Sequence, residues 1–197
     1  MGKRKPSAGA PGAPRSVLAH PGSVRIIGGE WRRRRIAFPG VVQIRPTPDR
    51  VRETLFNWLG QRLDSLSCLD LFAGSGALGL EAASRGAVAV TLVENHPRVA
   101  VALRDSIRLL GANQVRVVHA DALEFLVQDR ATYDVVFIDP PYADGPPNAL
   151  MEHLSRRLAA GARVYVEGDR RFEPPPGWRI LRQDRAGMAH FQLLQVG

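Results

Sequence analysis

The chain is poor in several features, and each shortage excludes a class of protein. Cys68 is its only cysteine, so no disulfide can form within the chain. The five histidines and this cysteine show no metal-ligand spacing, and we expect no metal site. No apolar run reaches transmembrane length and no signal pattern opens the chain. These absences predict a protein of the reducing cytoplasm that has no membrane partner.

What is present suits one globular domain that binds a polyanion. The chain has 197 residues, of which 45% are hydrophobic. Residues 1–50 carry 11 Lys and Arg against Glu30 and Asp49, whereas the remainder carries 16 against 17 acids. The net charge of +8 therefore comes from the N-terminal quarter. A concentrated basic patch favours nucleic acid as a partner, although a basic tail can also serve solubility alone.

The first 64 residues are predicted to form an extension to the main domain. Residues 1–23 are rich in Pro, Gly and Ala and are expected to be a disordered basic tail. Residues 24–64 are expected to form a β-hairpin that contacts nucleic acid and a helix of about four turns, with Thr47 as its N-cap and Pro48 at its first position. The candidate nucleic-acid-binding residues are Arg25, Arg32, Arg33, Arg34, Arg35 and Arg45.

From Cys68 onward, predicted strands alternate with predicted helices. This alternation indicates βαβ units and an α/β fold with a mostly parallel sheet covered on both faces. Two late strands, near 178–181 and 188–194, are joined by a short connection and predict an antiparallel hairpin at the sheet edge. Ligands of such folds bind at the carboxyl ends of the parallel strands.

The loop after the first of these strands carries a glycine pattern typical of nucleotide-like cofactors. Gly74, Gly76 and Gly79 fit G-x-G-x-x-G, and Glu94 follows Gly74 by 20 residues. This spacing alone fits NAD equally well. Asp70 favours S-adenosyl-L-methionine, because a carboxylate repels a pyrophosphate but attracts the cationic amino and sulfonium groups. The alternative role for Asp70 is a helix-capping or turn acid.

The remaining cofactor contacts are predicted from the ends of the next two strands. Glu94 is expected to accept hydrogen bonds from the ribose hydroxyls, and Asp121 to hold the adenine amino group beside the Ala122 amide. Asp121 also fits an ordinary helix N-cap. The predicted cofactor-binding residues of this region are Asp70, Phe72, Ala73, Gly74, Ser75, Gly76, Glu94, Asn95, Asp121 and Ala122.

A buried strand ends abruptly in the sequence DPPY, formed by Asp139, Pro140, Pro141 and Tyr142. The two prolines cannot continue a central strand, so they predict a stiff loop facing the methyl donor. The exocyclic amino group of a nucleobase is a poor nucleophile, because its lone pair is delocalised into the ring. Hydrogen bonds from this group to the Asp139 carboxylate and the Pro140 carbonyl would reorient the lone pair, while Tyr142 stacks on the base. These four residues are the predicted catalytic set.

The sequence resembles the RsmD-type 16S rRNA (guanine-N2)-methyltransferases of bacteria from about Val24 to Leu194. The resemblance rests on four segments in order, RIIGGEWRRRRI, RPTPDRVRETLFNWL, CLDLFAGSGALGLEAASRGA and FIDPPY. It implies a Rossmann-like class I methyltransferase domain over residues 65–197, with a seven-stranded sheet. It also implies that Thr47, Arg50 and Glu53 lie beside the cofactor or the target base. The expected partner is 16S rRNA within a small-subunit assembly particle, and the expected state is a monomer.

The residues leave several functions open at this point. The DPPY sequence also serves adenine-N6 methylation of DNA or RNA. Cytosine-C5 methylation requires a nucleophilic cysteine at the base, whereas Cys68 begins a predicted core strand. An NAD-dependent oxidoreductase is a further possibility, against which Asp70 argues. A non-catalytic RNA-binding assembly factor is also possible, but such a protein has no use for Asp139.

Overall fold

The computed structural model describes residues 22–40, 46–140, 146 and 148–197. Within these ranges the chain forms a two-stranded N-terminal hairpin, a seven-stranded sheet and five helices. The strands are β1 (Gly22–Arg25), β2 (Arg35–Phe38), β3 (Ser67–Asp70), β4 (Ala89–Glu94), β5 (Val115–His119), β6 (Tyr133–Ile138), β7 (Leu158–Gly168), β8 (Trp178–Ala186) and β9 (Ala189–Val196). The helices are α1 (Asp49–Leu59), α2 (Ala77–Ser84), α3 (Pro97–Leu110), α4 (Ala122–Gln128) and α5 (Asn148–Ser155).

The strand order of the large sheet explains where a ligand can bind. The order is β5-β4-β3-β6-β7-β9-β8, with β3 to β7 parallel and β9 antiparallel to both of its neighbours. The order reverses between β3 and β6, so the loops that follow these two neighbouring strands diverge and leave a crevice. This arrangement confirms the predicted mostly parallel α/β sheet and its C-terminal antiparallel hairpin.

Both faces of the sheet are packed, as continuous apolar strands require. In β6, Val135 and Phe137 face the side that holds α1, whereas Val136 and Ile138 face the side that holds α5. Phe56 of α1 lies with its ring 6.1 Å from that of Phe137. The sheet therefore forms the centre of a three-layer core.

The N-terminal hairpin and α1 are part of the same core as the large sheet. Val24, Ile26, Trp31 and Ile36 are buried in one hydrophobic cluster with residues of α1, α2 and β4. The predicted extension (residues 24–64) and the predicted catalytic domain (residues 65–197) share this cluster. The boundary between them stays a prediction.

A buried charged cluster fastens the segment after β1 to the helices. We call Arg52, Glu81 and Arg85 the arginine–glutamate cluster. Glu81 forms ion pairs with Arg52 at 3.2 Å and with Arg85 at 2.8 Å, and it accepts the backbone N–H groups of Ile27 and Gly28 at 2.8 and 2.7 Å. Every ionised group in the cluster therefore has a partner of opposite sign, which is the condition for burying charge.

Several predicted boundaries are corrected by tertiary contacts. Helix α1 starts at Asp49 and has three turns, and its cap position holds Pro48 without a side-chain cap. Thr47 is thus not the N-cap, because its hydroxyl donates to Asp139 instead. Strand β1 begins at Gly22, inside the predicted tail, whose residues 1–21 lie outside the described ranges. The sequence pattern predicts a helix over Pro97–Leu110 and a strand over Tyr133–Ile138, and α3 and β6 have these limits.

The pattern of residues 31–38 predicts a strand that carries the four consecutive arginines, and the structure differs. Arg32, Arg33 and Arg34 lie in the turn between β1 and β2, and only Arg35 lies in a strand. The backbones of Arg33 and Arg34 still bond to Ile26 across the hairpin at 2.8 and 2.9 Å. The segment before them bonds to α2, since Trp31 N donates to Ser84 Oγ at 2.9 Å and Glu30 N donates to the Ser84 carbonyl at 2.7 Å. None of the helices in the described ranges is long and apolar enough to cross a bilayer.

Candidate active site

A cavity of about 640 Å³ lies at the carboxyl ends of β3, β4, β6 and β7. Its walls bring together both ends of the predicted site, the glycine loop and the start of the DPPY segment. The predicted residues that line it are Thr47, Asp70, Phe72, Ala73, Gly74, Ser75, Glu94, Asn95, Asp121, Ala122, Asp139 and Pro140.

The glycine loop closes one side of the cavity through backbone conformations that favour glycine. Gly74 and Gly76 have φ values of 49° and 77°, and Gly76 leads directly into α2. The Gly74 N–H donates to Glu94 Oε2 at 2.9 Å, while Glu94 Oε1 accepts from His96 N at 2.7 Å. Glu94 thus fixes the loop, and its carboxylate oxygens retain lone pairs for further donors such as ribose hydroxyls.

Asp70 lies at the base of the cavity and is 2% exposed. Its Oδ2 accepts the Gly79 N–H at 3.0 Å, whereas its Oδ1 has no hydrogen-bond partner among the described residues. Burial, with a contribution from the charge of Glu94, raises the pKa of Asp70 to about 7. A buried acid in this state is a favourable neighbour for a cationic group, and the ammonium of S-adenosylmethionine fits that requirement.

A second unsatisfied polar atom lines the same cavity. Within the described ranges, two buried side-chain polar atoms lack a hydrogen-bond partner, Asp70 Oδ1 and His96 Nδ1, and both residues belong to the cavity wall. Folded proteins normally satisfy such atoms. Their coincidence in one cavity indicates that it is built for a polar ligand.

Asp121 has the N-cap role that the sequence offered, while its contact with the adenine stays a prediction. It is the N-cap of α4, where its Oδ1 accepts the N–H groups of Leu123 and Glu124 at 2.8 and 3.2 Å. It also lies on the cavity wall together with Ala122. The two capping bonds hold its carboxylate in place.

Asp139 directly follows β6 and lines the same cavity as the glycine loop. Thr47 Oγ1 donates to its Oδ2 at 3.3 Å, which ties the segment before α1 to the DPPY segment. Burial, followed by the charges of Glu167 and Asp70, raises the pKa of Asp139 to about 8. Pro140 is buried beside it, whereas Pro141 and Tyr142 lie outside the described residues.

Sequence reasoning missed a further acid on the cavity wall, Glu167 near the end of β7. It is 7% exposed, and the Tyr165 hydroxyl donates to its Oε2 at 2.7 Å. The end of β7 and the turn between β8 and β9 complete the wall next to Asp139. No short motif marks these residues. The detectable signal was an acid near the end of an apolar strand.

Comparison with known proteins identifies the family. The family model described as conserved hypothetical protein 95 matches residues 24–195. Ribosomal RNA small subunit methyltransferase D of Escherichia coli is 42% identical over 88% of this chain and 90% of its own length. The Haemophilus influenzae protein of the same name is 39% identical over 88% and 94%. The chain belongs to the ribosomal RNA small subunit methyltransferase D family.

Solved structures support the same assignment. The putative methyltransferase yhhF of E. coli superposes with a TM-score of 0.81 at 42% identity, and covers 89% of this chain and 98% of its own. The Thermus thermophilus 16S rRNA N2 G1207 methyltransferase has a TM-score of 0.68 at 22% identity, with 93% and 52% covered, and shares the fold. The Rossmann-like class I methyltransferase fold is thus confirmed.

Two residues that the family resemblance assigns to the cofactor or target base are not among those that line the cavity, and their role stays a prediction. Glu53 is exposed and lines a different surface depression, together with Arg32 and Arg62. Arg50 is exposed on α1 and is not part of the cavity wall. Of the described residues around the start of α1, Pro46, Thr47 and Pro48 line the cavity.

The arginines predicted to bind RNA are exposed wherever the structure describes them. Arg25 forms an ion pair with Asp49 at 2.9 Å, Arg34 donates to the Leu109 carbonyl at 2.8 Å, and Arg35 donates to Ser23 at 3.2 Å. Arg32 and Arg33 extend from the turn between β1 and β2, and Arg45 lies outside the described residues. These bonds leave most guanidinium donors available to phosphates.

The structure bears on cytosine-C5 methylation, on a dinucleotide cofactor and on the expected absence of a metal. Cys68 is fully buried in β3, and burial raises the pKa of its thiol to about 12, so it is not the nucleophile that cytosine-C5 methylation requires. The position of Asp70 at the base of the cavity opposes a pyrophosphate there. The described residues contain no group of acids, histidines and cysteines arranged to hold a metal ion.

Proposed function

We propose that this chain transfers a methyl group from S-adenosylmethionine to the exocyclic N2 amino group of a guanine in 16S ribosomal RNA. The observation that carries the proposal is that Asp139 and the glycine loop open onto one cavity, in a member of the small subunit methyltransferase D family. The E. coli relative, 42% identical, is named as a methyltransferase of small-subunit ribosomal RNA.

The cofactor half of the cavity is assigned to the loops after β3, β4 and β5. S-adenosylmethionine, when bound, supplies an electrophilic methyl group on a sulfonium. Asp70 would hold the ammonium through its unpaired Oδ1, Glu94 the ribose hydroxyls, and Asp121 with Ala122 the adenine. The cation beside Asp70 favours the ionised carboxylate, which compensates the cost of burying that acid.

The acceptor half of the cavity is assigned to Asp139 and Pro140. Asp139 would accept one N–H of the target amino group and the Pro140 carbonyl the other, which turns the nitrogen lone pair toward the methyl donor. Thr47 fixes Asp139 through its hydroxyl. After transfer the product nitrogen is acidic, and a carboxyl whose pKa is near 8 is well matched to receive its proton. Stacking of Tyr142 on the base, with Pro141 stiffening the loop, stays part of the proposal.

The exposed arginines of the hairpin are assigned to RNA phosphates, which position the substrate without reading its sequence. The target base must leave its stack to reach Asp139, at a cost of a few kcal/mol. We further propose that the substrate is a small-subunit assembly particle, that the enzyme acts as a monomer, and that the reaction takes place in the cytoplasm, where ribosomal RNA is processed.

The test is transfer of labelled methyl from S-adenosylmethionine to small ribosomal subunits of cells that lack the enzyme. Mass spectrometry of the digested RNA should find one N2-methylguanosine, and naked 16S rRNA assayed in parallel identifies the substrate form. Label on an adenine would instead favour adenine-N6 methylation, and no transfer to either substrate would contradict the proposal.

A further inference from the structure

We propose that Glu167 accepts the N1–H of the target guanine and thereby selects guanine over adenine. The inference deepens the proposed function and rests on it, because it names the group that reads the base whose amino nitrogen Asp139 orients.

The sheet register places the two acids side by side. Strands β6 and β7 are parallel, with Ile138 opposite Val166, so the next pair along the strands is Asp139 and Glu167. Neighbouring strands lie about 4.8 Å apart. Because side chains alternate between faces, both acids share the face of Phe137 and Tyr165, which is the side that carries α1 and Thr47.

The local contacts hold Glu167 in position. Its neighbour two residues earlier, Tyr165, is fully buried and donates its hydroxyl to Glu167 Oε2 at 2.7 Å. The Tyr165 ring packs against Phe191 at 6.4 Å, so the hydroxyl has a fixed origin. A carboxylate fixed in this way still has acceptor capacity for a ligand N–H, because its two oxygens offer about four lone-pair sites.

The two acids match the donor pattern of one base edge. Guanine presents its N1–H and one N2–H as adjacent, parallel donors, and neighbouring acceptors on β6 and β7 complement both. Adenine presents an amino group beside an unprotonated N1, whose lone pair would face the Glu167 carboxylate. An acceptor at this position therefore favours guanine and leaves adenine with an unpaired, repelled nitrogen.

The opposing account is that Glu167 only supports the fold, as a buried acid bonded to a tyrosine. This account predicts that changes at Glu167 affect all substrates equally. The proposal predicts instead that they change the preference between bases that differ at N1, and this difference separates the two.

The experiment uses small subunits reconstituted with 16S rRNA that carries either guanine or 2-aminopurine at the position that the wild-type enzyme methylates. 2-Aminopurine keeps the N2 amino group but has no hydrogen on N1. We expect wild-type kcat/KM to be about 100-fold higher for guanine. In Glu167→Gln, kcat/KM for guanine should fall by about 100-fold and the preference should shrink below about 10-fold, because the carboxamide can donate to the bare N1.

Two further variants make the result unambiguous. Tyr165→Phe removes the hydroxyl that holds Glu167 and should reduce the preference in the same direction by a smaller factor. Glu152→Gln removes an exposed acid from α5 and should leave both substrates unchanged. Titration with S-adenosylmethionine reports folding, and if Glu167→Gln fails to bind it, the preference of Tyr165→Phe decides.

The outcomes separate the two proposals. If the wild-type enzyme methylates guanine N2 but Glu167→Gln or, failing that, Tyr165→Phe keeps the wild-type preference over 2-aminopurine, the assignment of Glu167 is overturned and the proposed function stands. If the wild-type enzyme transfers no methyl group to a guanine N2, the proposed function itself has failed.

Discussion

Two buried groups of charged residues in this protein differ in how their charges are balanced. In the arginine–glutamate cluster, Glu81 meets both Arg52 and Arg85 and two backbone N–H groups. In the cavity, Asp70 and Asp139 lie close enough for the charge of Asp70 to raise the pKa of Asp139. Neutral donors hold these two acids, a backbone N–H at Asp70 and a hydroxyl at Asp139.

The difference separates structural charge from functional charge. When one member of a balanced buried cluster is removed, its neighbours lose a counter-charge and the fold is destabilised. The role of such a cluster is therefore to hold elements together. Buried acids with raised pKa values oppose folding in their ionised forms, and such groups concentrate where a ligand or a reaction requires them. The comparison therefore predicts stability defects on one side and functional defects on the other.

The largest effect is expected from Asp139→Ala. Loss of the acceptor for the target amino group should lower methyl transfer at least about 1000-fold, while the dissociation constant for S-adenosylmethionine changes little. Labelled-methyl transfer and isothermal titration measure the two quantities. Retained turnover would remove Asp139 from the reaction.

Glu81→Ala tests the arginine–glutamate cluster. It leaves Arg85 without its carboxylate partner and Arg52 with Asp49 alone, and we expect the free energy of unfolding to fall by about 3–5 kcal/mol. Urea denaturation measures it, with Glu173→Ala, a loop acid outside the cluster, as the control that should change stability by less than about 0.5 kcal/mol. An unchanged stability of Glu81→Ala would show that the cluster does not fasten the hairpin.

Asp70→Asn should weaken S-adenosylmethionine binding by about 10- to 100-fold, since it loses a charge-assisted hydrogen bond. The wild-type affinity should rise as the pH increases through about 7, because the carboxyl with a pKa of about 7 must ionise to pair with the ammonium. Calorimetric titration across this range should find a flat profile for the variant. Equal pH profiles for the two proteins would place the ammonium elsewhere.

The pH dependence of stability sharpens the contrast further. The pKa of Asp139 is about 8 in the native protein and 3.8 unperturbed. Between these two pH values the native state binds a proton that the unfolded state has released. The stabilising contribution is complete below pH 3.8 and is lost as the pH rises through 8. Asp139→Asn should therefore be more stable than wild type at about pH 8, by about 1–3 kcal/mol, and the gap should close toward about pH 5. Denaturation midpoints that run in parallel across the range would contradict this.

The smallest effect concerns the exposed charges of the hairpin turn. Replacing Arg32 and Arg33 with Glu should weaken RNA binding several-fold and reduce its salt dependence by about one unit of slope per lost phosphate contact. Arg130→Glu, in the loop between α4 and β6, is the matched control. Filter binding at several salt concentrations measures both, and identical salt slopes for the two variants would remove the turn from the RNA interface.

The sequence predicted the elements whose signal is local. Helix α3 begins with Pro97 and ends before Gly111, and β6 is an almost unbroken apolar run, so their limits could be found from pattern alone. The glycine loop was predicted for the same reason, because its spacing requires a strand, a turn and a helix in succession.

The remainder depended on contacts between distant segments. Thr47 is a residue type that favours the N-cap position, but its hydroxyl donates to Asp139, 92 positions away. Arg32, Arg33 and Arg34 lie in a turn, and the segment before them bonds to Ser84 of α2, a contact that the sequence does not show. No local pattern marks Glu167 as a site residue, and the register of β6 and β7 places it beside Asp139. In each case the tertiary partner, which no local pattern contains, decides the role.

The most direct test of the shared cavity is a crystal structure with S-adenosylhomocysteine bound. We expect the ammonium within hydrogen-bond distance of Asp70 Oδ1, the ribose at Glu94, and the sulfur facing Asp139 across an open space large enough for a base. A cofactor bound outside this cavity, or bound in it with the sulfur turned away from Asp139, would contradict the account.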